Sequence, residues 1–352
     1  MKPSEKWPEM LLVWFSGHKR DLPWREAKPR NPYHVWISEI MLQQTRTEAV
    51  KPYFHSWMER FPTIHDLAMA SEAEVLHQWQ GLGYYSRARN IHKAAREMEE
   101  KYGAELPHDK EEIRALPGIG GYTAGAILSM AYGQKEGAID GNVLRVYARL
   151  YDVEEDILKS KGKKIISSLV EKTIPERAGD FNEALMDLGS DVCIPKSPRC
   201  GHCPLSAECL AFEKGLQERL PLRTKKKPQL VQEAACGIIM KEGKVLLHKR
   251  PSKGMLASMW EFPMVLSESA ETSRAGLEAL LQGKAEEMVW KYKHTFTHRI
   301  WLMKAYTLKD GVAPEGGYQW FTPEEYKEIP LAGPHARLAA FAEKLLREEG
   351  DF

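Results

Sequence analysis

Four cysteines crowd one short stretch of the chain, Cys193, Cys200, Cys203 and Cys209, spaced C-x6-C-x2-C-x5-C. The pair two residues apart can chelate one centre, and the outer two can close its coordination sphere. Zinc and a four-iron cluster both accept four thiolates. Zinc sites usually carry two close pairs, and only one is present here, so spacing leans towards iron–sulfur. Elsewhere a glutamate, Glu39, lies in the apolar middle of Asn31–Thr45, where helical spacing surrounds it with Val35, Trp36, Leu42 and Gln43. A carboxyl that loses its water there holds its proton to higher pH and can act as an acid near neutrality. Pattern alone also allows Glu39 to reach solvent at the edge of the face.

A third group surrounds a glycine-rich turn, Leu116-Pro-Gly-Ile-Gly-Gly-Tyr-Thr-Ala124, between two short helical segments. Gly118, Gly120 and Gly121 free backbone N–H groups, and the second helix adds its N-terminal donors, an arrangement that binds phosphate without base preference. Eighteen residues beyond Tyr122 comes Ile139-Asp-Gly-Asn-Val143. Asp140 or Asn142 can cap the helix over Val143–Leu150. Capping also suits catalysis, since a helix N-terminus favours an ionised carboxylate.

The elements that must hold these groups are helical over residues 1–220. Apolar periodicity predicts helices at Glu9–Phe15, Tyr33–Thr45, Tyr53–Arg60, Ser71–Trp79, Arg87–Tyr102, Tyr122–Tyr132, Val143–Leu150, Lys164–Val170 and Asn182–Leu188. Residues 221–232 read as a linker with two prolines, whose Thr224–Lys227 run is either a solvated face or a phosphate contact. From 233 the texture changes. Strands are expected at Ala234–Met240, Val245–Arg250, Val289–Lys293 and Ile300–Tyr306, with a hairpin turn at Lys241-Glu-Gly243 and a closing helix at Arg337–Glu348. This is an all-α region followed by a separate α+β domain over 233–352.

Several strings now point one way. The cysteine spacing resembles the [4Fe–4S] loop of endonuclease III-like DNA glycosylases, and Leu116–Ala124 resembles their helix–hairpin–helix element. Ser38-Glu-Ile-Met-Leu-Gln-Gln-Thr45 resembles the motif of the adenine DNA glycosylases in which the glutamate is the general acid. The resemblance implies a six-helix module over about 30–135 and an iron–sulfur module built from the N-terminal helix and 136–220. It makes Glu39 the acid and Asp140 the carboxylate that stabilises the sugar, with Asn142 and Tyr122 beside them. Lyases of this superfamily carry a lysine where Tyr122 stands, and tyrosine cannot form a Schiff base. A monofunctional glycosylase is therefore implied, and a phenol beside Asp140 could hold it by a hydrogen bond. Leu22-Pro-Trp-Arg25 looks like the pocket wall, with Arg25 near the extruded base. Gly81–Asn90 resembles the DNA-wedge loop, so Leu82, Tyr84 and Arg87, with Leu42, Gln44 and Thr45, are expected on DNA or in the hole left by base flipping. Phe181-Asn-Glu-Ala184 matches a further motif and adds Glu183. Lys196 and Arg199 in the cysteine loop could face phosphates.

In the second domain, Gly254–Pro263 resembles the entry to a Nudix fold, but Glu271–Gly283 lacks the R-E-x-x-E-E carboxylates that hold magnesium. The implied role is to read a nucleobase without cutting a nucleotide, through Phe296, Thr297 and His298, the family's 8-oxoguanine sensor. There Thr297 stands where serine is frequent. The expected partner is duplex DNA containing adenine opposite 8-oxoguanine or guanine, and the expected cofactor is a [4Fe–4S] cluster. The rivals are an endonuclease III-like lyase for oxidised pyrimidines and a non-enzymatic iron–sulfur DNA-binding module.

Composition constrains less. Apolar residues at 43% and charged residues at 28% exclude a disordered or fibrous chain. No apolar run approaches a membrane span, and the N-terminus lacks a secretory stretch, so a cytoplasmic protein is expected, with the nucleoid in a bacterium. Monomer is the default. Net charge is +1, split as +2 before residue 230 and −1 after it, so any positive surface for DNA must be local.

Overall fold

Asn31 and Pro32 start the helix that carries Glu39. The Asn31 side chain accepts from the N–H of Tyr33 at 2.9 Å and of His34 at 3.4 Å, and Pro32 supplies a preset φ at the first helical position. The helix runs Pro32–Leu42 and is buried from Val35 to Met41, so its glutamate enters the interior with its apolar neighbours. It stops three residues short of the expected Thr45. Gln43 ends the helix with ψ 108°, and Gln44 then takes a left-handed φ of 62°.

The computed structural model describes residues 3–26, 29–224 and 228–350. Its contacts divide the chain into Met1–Met69 with Asn90–Lys225, and Ala70–Arg89 with Lys226–Phe352. The boundary at Lys225 falls inside the predicted linker. That Ala70–Arg89 joins the second unit was not legible from periodicity, because what ties it there is non-local. Arg89 Nη1 donates to the Ala257 carbonyl at 2.8 Å, and the hydroxyls of Tyr84 and Thr297 meet. Lys225–Lys227 lie outside the described residues. Thr224 is held by Asp156, to which its N–H donates at 2.8 Å.

Twelve helices are described ahead of the first strand: α1 (Trp7–His18), α2 (Pro32–Leu42), α3 (Thr47–Arg60), α4 (Ile64–Met69), α5 (Glu72–Gln78), α6 (Ser86–Tyr102), α7 (Lys110–Ala115), α8 (Gly121–Met130), α9 (Gly141–Leu150), α10 (Ser160–Thr173), α11 (Ala178–Asp191) and α12 (Leu210–Glu213). Every expected helix is present. Three were not in that list, α4, α7 and α12, each too short to complete a periodic pattern. In the first unit α1 shares a core with α9 and α11: the Trp7 ring packs at 5.6 Å on Tyr147 and 5.4 Å on Phe181, and all three are buried. Between α7 and α8, Gly118 has φ +79°, and a Cβ there would lie 2.7 Å from Asn90 Cβ. Glycine is required at that turn for both reasons.

The second unit holds eight strands, β1 (Leu230–Ile238), β2 (Met240–Lys241), β3 (Lys244–Lys249), β4 (Trp260–Glu261), β5 (Met264–Ser267), β6 (Met288–Thr295), β7 (Arg299–Thr307) and β8 (Tyr318–Phe321), and helices α13 (Ala270–Leu281), α14 (Pro323–Lys327) and α15 (Gly333–Gly350). One sheet has the order β5-β1-β7-β6, with β1 and β7 parallel. The other pairs β2, β4 and β8 with β3. The expected strand Ala234–Met240 is two strands. β1 ends at Ile238, and only Met240 and Lys241 form the predicted hairpin with β3. Val289–Lys293 and Ile300–Tyr306 lie within β6 and β7, which pair as a hairpin with His294 opposite Trp301. Among the described residues no helix is long and apolar enough to cross a membrane.

Candidate functional site

In the first unit Glu39, Tyr122, Asp140 and Asn142 line one cleft of about 1270 Å³, together with Arg25 and Gln44. Leu42 and Thr45 border it as well. Four elements converge there. α2 brings Glu39, the N-terminus of α8 brings Tyr122, the turn ahead of α9 brings Asp140, and a single 3-10 turn at Pro23–Arg25 brings Arg25.

Asp140 caps α9. One carboxylate oxygen accepts from the N–H of Asn142 at 2.8 Å and of Val143 at 2.7 Å, and the other accepts from Asn142 Nδ2 at 2.8 Å. Capping and catalytic readings coexist in the same atoms. Burial pushes the Asp140 carboxyl above its usual value, while those three donors pull the other way and hold the carboxylate form. The Asn142 amide cannot turn over. Its oxygen accepts from Arg145 Nη2 at 2.7 Å, so Nδ2 must face Asp140.

Tyr122 was expected to hold Asp140, but its hydroxyl donates to Glu39. Both oxygens of Asp140 are already filled by α9. Tyr122 sits on α8, which packs along α2, so its phenol meets the helix carrying Glu39. Glu39 is only 5% exposed. Burial pushes its carboxyl up to about 7; Asp140 and Glu183 push the same way, and the Tyr122 hydrogen bond and Arg25 pull down. Burial likewise raises the Tyr122 phenol well above its ordinary value, so it remains a donor. The two carboxyls thus occupy unequal environments, one desolvated beside a phenol, the other solvated by fixed N–H groups.

Arg25 is held from behind the cleft. Its Nε lies 3.2 Å from Glu183, and its two terminal nitrogens lie 2.8 and 3.2 Å from Asp187. Arg20 and Arg30 complete the cluster, on Asp187 at 2.6 Å and Glu183 at 3.0 Å. Asp187 and Arg145 were not singled out from sequence. The available signal was charge inside apolar helix patterns, with Asp187 one turn beyond Glu183 on α11 and Arg145 one turn into α9.

The glycine turn supplies the N-terminus of α8, which has no side-chain cap at Gly120. A Cβ at Gly120 would meet nothing within 4 Å. Packing within the chain therefore gives no reason for that glycine.

The four cysteines are free and half-buried. Arg149 Nη1 donates to Cys193 Sγ at 3.3 Å, and Arg145 Nε to the Cys193 carbonyl at 2.7 Å, so α9 carries the start of the loop. Among the described residues, no three His, Cys, Asp or Glu side chains converge on a point as one metal ion would need. Lys196 and Arg199 are exposed on the loop.

In the second unit Tyr84 has a left-handed φ of 49°. Arg87, expected on DNA, is 9% exposed and braces this loop. Its guanidinium lies 5.1 Å from the Trp79 ring centroid and 5.5 Å from that of Tyr84, and Nη2 donates to the Leu82 and Gly83 carbonyls. Leu82 itself is buried. At the β6–β7 tip, the Phe296 N–H donates to the Arg299 carbonyl at 2.8 Å, and the Phe296 ring packs on Trp301 at 4.8 Å. Thr297 is half-buried and His298 exposed. On α13, Glu278 accepts from the Ala285 N–H and pairs with Arg274.

Residues 37–172 match the family described as HhH-GPD superfamily base excision DNA repair protein, and residues 234–340 match the NUDIX domain. Among solved structures, a thermostable thymine-DNA glycosylase aligns at TM-score 0.53 and 28% identity, over 59% of this chain and 95% of that one. A trapped endonuclease III–DNA covalent intermediate aligns at TM-score 0.51 and 25% identity, over 60% and 99%. The adenine DNA glycosylase of Buchnera aphidicola subsp. Acyrthosiphon pisum is 35% identical over 83% of each chain. The adenine DNA glycosylase of Homo sapiens is 34% identical over 90% of this chain and 70% of its own. Relatives of one name thus run through both the helical unit and the sheet unit, and the chain belongs to the adenine DNA glycosylase family, base-excision repair enzymes that act on DNA.

Proposed function

We propose that the enzyme releases adenine paired with 8-oxoguanine or guanine by hydrolysis and leaves the abasic strand intact. The observation that carries this is the pair of carboxyls in one cleft, Glu39 buried and Asp140 capped. The flipped adenine enters the cleft, and Glu39 gives its proton to a ring nitrogen, making the base a neutral leaving group. Asp140, held by Asn142 and the α9 N-terminus, offers negative charge to the oxocarbenium-like sugar, and water completes the reaction. Tyr122 orients Glu39 and supplies no amine. The open α8 N-terminus at Gly120 accepts a phosphate of the strand, and Gln44 and Tyr84 face the duplex.

A duplex assay tests the reading. Adenine release is expected from A:8-oxoguanine and A:G and not from a thymine-glycol duplex, with strand breaks only after alkali. Borohydride should trap almost no enzyme on DNA, since no lysine stands at Tyr122. Efficient trapping, or cleavage without alkali, would show another amine at work.

The β6–β7 tip is the reader of the opposite base. Oxidation turns N7 of guanine from an acceptor into a donor and adds a carbonyl at C8, a difference that a hydroxyl and a backbone N–H can sense. Replacing Phe296, Thr297 and His298 together by alanine is expected to erase most of the preference for A:8-oxoguanine over A:G while A:G turnover persists. Unchanged discrimination in single-turnover rates would remove this tip from the reading.

The four thiols fit a [4Fe–4S] cluster. They are unpaired, three of them pack against the core that holds α9, and Arg149 offers a donor to Cys193, as a thiolate ligand accepts. When bound, the cluster would crosslink residues 193–209 and so fix the exposed Lys196 and Arg199. Elemental analysis of purified protein is expected to give about four iron per chain. One zinc in a colourless, fully active protein would contradict it.

A further inference from the structure

We propose that Asp187 is a positioning residue for the proton donor: by clamping Arg25 between itself and Glu183, it keeps the Arg25 cation beside Glu39 electrically balanced. The inference rests on the reading of Glu39 as the acid and adds to it a residue that touches neither base nor sugar.

Asp187 is fully buried on α11, one turn beyond Glu183. Three guanidiniums, from Arg20, Arg25 and Arg30, share two carboxylates, Asp187 and Glu183. Asp187 receives most of the bonds. Arg20 gives it its N–H at 3.3 Å and Nε at 2.7 Å, and Arg25 gives both terminal nitrogens at 2.8 and 3.2 Å. Only Arg20 reaches the rim, at 27% side-chain exposure, against 8% for Arg25 and 0% for Asp187. Such a cluster costs desolvation and is a poor source of stability, so its presence beneath a catalytic cleft calls for another role.

That role follows from what surrounds Glu39. The groups facing it are Tyr122 from α8, Asp140 from the turn before α9, Arg25 from the 3-10 turn and Glu183 from α11. Arg25 is the one cation among them, and it favours the deprotonated acid. Burial works against the Arg25 charge, but Asp187, Glu183 and Glu39 hold the guanidinium above even its ordinary value, so it is never neutral. Balance must then come from its partners. Without Asp187, Glu183 alone would face three guanidiniums. The extra positive field would strip the proton from Glu39 at lower pH.

The test is the pH profile of single-turnover adenine release from an A:G duplex with the full-length protein. Wild type should lose rate as pH rises through the Glu39 range. Asp187→Asn, which keeps the shape and drops the charge, is expected to move that limb down by about one pH unit. At pH 8 the rate then falls about tenfold below wild type, and at pH 5.5 it stays within about threefold. Asp187→Glu, keeping the charge, should restore the wild-type midpoint. Arg20→Gln works in the opposite sense and tolerates a folding failure of the first variant. It leaves Asp187 undivided for Arg25, so the limb should move up, by about half a pH unit. A purely structural role would lower rates at all pH values and leave both midpoints in place, which overturns the proposal. If wild type has no such limb, the assignment of Glu39 fails first and this proposal with it.

Discussion

Asp140→Asn is expected to lower the single-turnover rate of adenine release by about 10³-fold. Two effects act together. The negative charge offered to the developing sugar cation disappears. The remaining geometry is also disturbed, because Asn142 Nδ2, which now donates to Asp140, would face an amide that turns either N–H₂ or oxygen towards it. If it faces nitrogen, Asn142 must flip, and flipping breaks its bond from Arg145. If the new amide keeps its oxygen there, an N–H₂ faces the two backbone donors of α9. Binding of an A:8-oxoguanine duplex carrying an uncleavable adenosine analogue should change little. Stability should fall by about 1–3 kcal/mol, since either orientation of the amide leaves a buried donor unsatisfied, so rates are compared where the variant is folded. A variant that retains wild-type rates while folded would show that the sugar cation is stabilised by another group.

What the sequence made legible depended on how far apart the interacting residues lie. Asp140 as a cap is local: Asp-Gly-Asn ahead of an amphipathic helix needs only i+2 and i+3 partners, and the structure has them. Glu39 as a buried acid rested on the resemblance of its string, because pattern alone also allowed the face edge; the seven consecutive buried residues Val35–Met41 leave the carboxyl no polar face to escape to. The partner of Tyr122 was not legible. Which carboxyl its phenol meets is decided by the packing of α8 on α2, 83 residues apart in the chain. Arg87 differs, because its partners are local. The resemblance of Gly81–Asn90 put it on DNA, and periodicity did not show that two aromatic rings and two carbonyls within eight residues enclose it. Asp187 was hidden for the same reason as the partner of Tyr122. Its partners, Arg20 and Arg25, lie 167 and 162 residues away, and the local signal, a charge inside an apolar helix pattern, does not say what it pairs with. In the second domain the longer strands announced themselves through alternation. β4, β5 and β8, of two to four residues, carry too few side chains to display a period.

Glu39→Gln separates function from stability, and the two should move in opposite directions. The amide cannot protonate adenine, so base release is expected to fall by about 10²–10⁴-fold at every pH. Stability follows from the sign of the wild-type shift. Glu39 in the folded protein holds its proton up to about 7, above the 4.5 of an ordinary glutamate. Its contribution is therefore fully present below pH 4.5 and is lost as pH rises through 7, because the folded state must then either keep a proton that the unfolded chain has released or bury a charge. Glutamine carries no such penalty and can still accept from Tyr122. At pH 8 the variant should be more stable than wild type by about 2–3 kcal/mol, and the gap should close towards pH 4 to 5. Paired urea titrations at pH 5 and pH 8 measure it. A variant that is equally destabilised at both would mean that Glu39 contributes through packing and hydrogen bonding alone. The proton that makes it an acid would then have to be held by something other than its burial in α2.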